Sequence, residues 1–101
     1  MTCEIEKRDG RIHIRGEMTI YGAAALKDDL FAVLEAEPEG CAIDLAAVSE
    51  FDTTGLQLLL LARKVCLSRG GFFGLANPST AVRETLDLLR GHGLPIAEAA
   101  G

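Results

Sequence analysis

The stretch that most restricts how this chain can fold lies between Gly55 and Arg69. It reads as a helix, and Leu56, Leu58, Leu59, Leu60, Leu61 and Ala62 make it apolar nearly all round. Such a helix must be covered on more than one side. The run is far too short to span a bilayer. With 101 residues in the chain, the cover has to come from a single domain. Gly70-Gly71 stops the helix. Arg63, Lys64 and Arg69 fall in its later turns, where cations suit the helix dipole.

The rest of the chain alternates strand and helix. Residues 3–8 and 11–16 alternate in character, with Ile5, Ile12 and Ile14 able to share one face and Arg11, His13 and Arg15 the other. Asp9-Gly10 between them is a hairpin signal, because Gly tolerates the positive φ that a two-residue turn requires. His13 is expected as an exposed strand residue. Met18 to Gly22 is a connection. Ala23 to Glu35 reads as a helix with Leu26, Leu30, Val33 and Leu34 on one stripe, ended by Pro38 and Gly40. Cys41 to Leu45 reads as a buried strand and Ala46 to Asp52 as a connection. Phe72 to Ala76 reads as another buried strand. Asn77 as N-cap and Pro78 at the first helical position open a last helix, with Val82, Leu86 and Leu89 inward. Gly91-His92-Gly93 closes it, and Leu94-Pro95-Ile96 is a short terminal strand candidate before a tail, 97–101, expected to fray. The order predicts an α/β domain with a mixed, mostly parallel sheet, opened by an antiparallel hairpin and packed with three helices.

Composition narrows function. Fifteen acidic against ten basic side chains leave a net charge of −5, which argues against binding a phosphate backbone and favours basic partner proteins. Aromatic residues are 5% and Trp is absent, so a base-stacking platform is not expected. The three cysteines, Cys3, Cys41 and Cys66, are widely spaced and the two histidines are isolated. They read as small buried hydrophobes in a reducing compartment, with no metal site and no cofactor. The N-terminus carries no apolar signal core, so a cytoplasmic protein without membrane insertion is expected. No nucleophile elbow, Walker loop or motif histidine is present, which points away from an enzyme.

The informative segment runs from Ala42 to Leu59, where Asp52-Thr53-Thr54-Gly55 opens the apolar helix. Thr53 or Thr54 can cap it by accepting from the first free N–H groups, and Gly55 lets the backbone pass close to its neighbours. The same position also suits a regulatory hydroxyl. A phosphate there would add a charge of about −1.5 to −2 beside Asp52, with Asp44 and Glu50 near in sequence.

Asp44-Leu45-x-x-Val48-x-x-Phe51-Asp52-Thr53-Thr54-Gly55-Leu56 resembles the central motif of STAS domains, the family of anti-sigma-factor antagonists and sulfate-transporter tails. Gly16-Glu17-Met18-Thr19-Ile20-Tyr21 resembles the family's loop after the second strand, and Asn77-Pro78-Ser79-x-x-Val82 with Gly93-Leu94 its final helix and exit. The resemblance implies one STAS domain over residues 1–101. It implies a bacterial signalling adaptor that binds a serine/threonine kinase acting as anti-sigma factor, or a chemotaxis-type regulator. The kinase phosphorylates the hydroxyl after the motif Asp, here Thr53, and a phosphatase resets it. Asp52, Thr54, Gly55, Thr19 and Tyr21 would then form the switch and partner-binding loop. Two departures stand out: Thr53 replaces the usual Ser, and Thr19 stands where many antagonists carry Asp. An Asp-Thr-x-Gly motif also occurs in STAS subunits that dock constitutively on the ATPase of lipid-transport ABC complexes.

Overall fold

The computed structural model describes residues 3–8, 10–37 and 39–88. The element order is β1 (Cys3–Arg8), β2 (Arg11–Met18), α1 (Ala23–Glu35), β3 (Gly40–Phe51), α2 (Thr53–Ser68), β4 (Phe72–Ala76) and α3 (Thr80–Leu88). The sheet runs β1-β2-β3-β4, antiparallel between β1 and β2 and parallel thereafter. Gly10 takes φ +76 in the hairpin turn that joins Arg8 to its register partner Arg11, the left-handed backbone expected of it.

Strand order equals chain order, so the β2-α1-β3 and β3-α2-β4 crossovers place both helices on one face. There α1 packs against β1 and α2, and α2 against β3 and β4. The core fills the space between: Ile12 and Ile14 from β2, Ile43 and Leu45 from β3, Leu75 from β4, and Leu26, Leu30, Leu34 and Leu59 from the helices. The other face carries Arg11, His13 and Asp44, which share it because His13 and Asp44 are register partners.

Several expectations are corrected. Ala46 to Phe51 continues β3, which pairs with β2 as far as Met18 and Phe51. The alternation fails there because the β2–β3 register shifts twice, turning residues away from strict inward-outward order. Helix α2 begins at Thr53, two residues earlier than expected, and its apolar ring is not wholly covered: Leu61 and Leu67 are exposed. Arg69 follows α2 but donates to Leu34 O of α1 at 3.0 Å, serving that helix's C-terminus. Helix α3 begins at Thr80, not at Pro78. Asn77 instead adopts φ +50, and Ser79 Oγ accepts from Val82 N at 3.3 Å. Cys3 is half-buried, while Cys41 and Cys66 are buried with their sulfurs 4.0 Å apart. Leu89, Gly91 to Gly93, the 94–96 strand and the 97–101 tail lie outside the described residues.

Candidate functional site

The end of β3 and the start of α2 meet the end of β2. Asp52, in an extended conformation, is the N-cap of α2. Its Oδ1 accepts from Thr54 N at 2.9 Å and Gly55 N at 3.2 Å. Capping is therefore the work of Asp52 rather than of Thr53 or Thr54. Its Oδ2 accepts from Ile20 N at 3.3 Å, across from the β2–α1 loop. One carboxylate thus ties two segments that are 32 positions apart.

That loop is built from within by Thr19, which is buried. Its Oγ1 accepts from Tyr21 N at 3.3 Å, and its carbonyl from Gly22 N at 3.0 Å. The side chains of Ile20 and Tyr21 are left outside, at 68% and 88% exposure. Gly55 is closed in: a Cβ there would sit 2.5 Å from Met18 O and 2.8 Å from the Phe51 ring. Its requirement is space, and its φ is ordinary.

Thr53 is exposed and Thr54 half-buried. The structure thus gathers Thr53, Thr54 and Asp52 with Thr19, Ile20 and Tyr21 at one end of the sheet. Glu17 and Glu50 are register partners on β2 and β3 at the same end, and adjacent strands lie only about 4.8 Å apart. Between α1 and α2 runs a depression of about 230 Å³ lined by Ala24, Lys27, Thr54, Gln57, Leu58 and Leu61.

Asp44 does not belong to this end. Eight residues of extended chain separate it from Asp52, roughly 26 Å at the rise of a strand. It is buried on the face of the sheet opposite α1 and α2. It accepts from Ala46 N at 2.9 Å and Asn77 Nδ2 at 2.8 Å, with Arg11 Nη1 at 3.5 Å and His13 Nδ1 at 4.0 Å. Burial alone pushes its carboxyl up, but the Ala46 amide, the Asn77 amide and the charges of His13 and Arg11 outweigh that and hold its pKa below the ordinary value. His13 is half-buried against this cluster, not the exposed residue its alternation suggests. The signal for the cluster was present: an Asp inside an apolar strand needs partners, and Arg11 and His13 alternate on a neighbouring one. Among the described residues, no group of three or more His, Cys, Asp or Glu is arranged to hold a metal ion.

The fold has known counterparts. An anti-sigma factor antagonist from Mycobacterium paratuberculosis superposes with a TM-score of 0.71 at 28% identity, over 86% of this chain and 75% of that one. A putative anti-sigma factor antagonist from Thermotoga maritima gives 0.74 at 23% identity, over 93% and 84%. The anti-sigma factor antagonist SpoIIAA in its unphosphorylated form gives 0.66 at 17% identity, over 95% and 87%. No curated protein matches the chain. The sequence model of the family described as "Mlab, STAS domain" matches residues 1–96. A buried strand leading into an Asp-capped apolar helix, on a mixed sheet opened by a hairpin, is thus the frame of a STAS domain, and the chain belongs to that family.

Proposed function

We propose that this anti-sigma-factor-antagonist-like STAS protein is a bacterial signalling adaptor switched by phosphorylation at Thr53. Its partner in this reading is a kinase that doubles as anti-sigma factor, or a related chemotaxis-type regulator, with a phosphatase restoring the free hydroxyl. The observation that carries the reading is a division of labour at the turn. Asp52 caps the helix and Gly55 fills the crowded position, while the Thr53 side chain is exposed. A phosphate on Thr53 would sit at the positive end of the α2 dipole, beside amides that already donate to Asp52, without displacing a packed side chain. It would act on a docked partner through charge.

The test is a pull-down from the native host with wild type and Thr53→Asp, read by mass spectrometry, alongside the intact mass of the native protein. A mass increase of one phosphate mapped to Thr53 is expected. So is loss of partner by Thr53→Asp at an unchanged melting temperature. Full pathway activity of Thr53→Ala with no phosphorylated form would sink the proposal.

A second reading is a constitutive subunit docked on the ATPase of a lipid-transport ABC complex. The Mlab description of the matching family favours it. Co-purification with an ATPase, unaffected by Thr53→Asp, would select it.

A further inference from the structure

The chain's net charge of −5 suggests a basic partner, but past its Asp52 cap the helix that follows has a different local character. Helix α2 contains no Asp or Glu from Thr53 to Ser68. Its outward stripe, Gln57, Leu61 and Lys64 after Thr53 and Thr54, is exposed or half-exposed. Across the α1–α2 depression, Lys27 is the one charged lining residue. Asp28, adjacent in sequence and exposed, is not among the residues that line the depression, and Asp29 lines a separate one with Cys3 and Glu4 on β1. Neither Lys27 nor Lys64 pairs with a carboxylate among the described residues. At the Thr53 end, the side chains of Ile20 and Tyr21 are exposed as well.

We infer that this groove seats an amphipathic helix of a partner protein, with apolar side chains over Leu58 and Leu61 and carboxylates over Lys27 and Lys64. Charge complementarity selects that occupant: an apolar cleft lined by Lys27, with Lys64 further along the exposed stripe of α2 and neither lysine paired among the described residues, discriminates for acidic flanks. The inference rests on the Thr53 reading and gives it a sign. A doubly charged phosphate at the groove's end repels a carboxylate-flanked helix more than it repels a neutral or basic one.

The probes are two synthetic amphipathic helical peptides of about five turns, identical in their leucine stripe. One is flanked by glutamates, the other by lysines. Each is titrated into the full chain and followed by amide NMR shifts. The glutamate peptide is expected to shift Lys27, Gln57 and Leu61 and to bind about fivefold tighter there than the lysine peptide, the scale of one or two rim charge pairs. The double variant Lys27→Glu, Lys64→Glu should reverse that order while keeping a native spectrum elsewhere. Equal or tighter binding of the lysine peptide at this face, or no shift there from either, overturns the inference. If the glutamate peptide seats and Thr53→Glu leaves its affinity unchanged, the groove assignment stands and the Thr53 switch fails. If Thr53→Glu releases the native partner while the glutamate peptide never touches the groove, the switch stands and the groove assignment fails.

Discussion

Gly55 is where a single atom matters most. A Cβ built there meets a backbone oxygen, Met18 O, at 2.5 Å, and backbone gives way less easily than the end of a flexible side chain. Gly55→Ala is expected to lower unfolding free energy by about 1–3 kcal/mol, the usual range for overpacking, as read by urea denaturation; an unchanged midpoint would show that the β2 end yields freely. The crowding at Gly55 was legible in the sequence, but the capping residue was not. Asp, Ser and Thr all cap helices well, so only the backbone register shows that Asp52 does it and that the Thr53 side chain is exposed. Asp44 makes a separate prediction. Its pKa is lowered in the folded state, so its stabilising contribution is complete above the unfolded carboxyl value of about 3.9 and is lost as pH falls through the folded one. The stability gap between wild type and Asp44→Asn should therefore shrink on acidification below about pH 4. A gap that widens would contradict the hydrogen-bonded, charged state of Asp44.

Elements were easiest to read where burial is one-sided. The stripe of Leu26, Leu30 and Leu34 in α1 is buried as its spacing predicts. The second half of β3 was missed for a physical reason. Ala46, Ala47, Ser49 and Glu50 are exposed and include poor strand formers, so pairing with β2 decides their conformation rather than propensity. The start of α3 was misplaced because Asn77-Pro78 looks like a cap and first turn. Asn77 is used otherwise, in a left-handed conformation with its side chain on Asp44, and Ser79 accepts from the helix N–H. Ser79→Ala should then cost about 1 kcal/mol, the ordinary value of a cap. Asn77→Ala should cost more, because it loses a hydrogen bond to a charged group worth about 1.5–3 kcal/mol and strains a positive φ. Equal costs in thermal melts would mean that Asn77 is only a linker.

At the scale of the molecule, alternation of strands and helices was enough to forecast a mixed sheet with helices packed on it, because crossovers between parallel strands are right-handed. The sum of charges was a poorer guide, since it averages over faces that differ in sign. Where the core lies can be tested by its thiols. Burial, with Cys66 alongside, pushes the Cys41 thiol up to about 12, and burial with the nearby Glu17 and Glu4 carboxylates pushes Cys3 up to about 11. The thiolate is the reactive form, which slows Cys41, and both Cys41 and Cys66 are buried from reagent, so their labelling by a thiol reagent at pH 8 should be slow in the native protein and accelerate with added urea. Rapid labelling of both without denaturant would mean that β3 and α2 separate far more readily than a packed core allows.

Tyr21 stands at 88% exposure on a loop held to Asp52 through Ile20 N. It is the sole tyrosine of a chain that has no tryptophan. The protein therefore carries its own fluorophore at the rim of the proposed docking face. Emission from the unlabelled chain comes from that one ring, so its anisotropy and quenching by iodide would report occupancy of the face directly, with no label to disturb it.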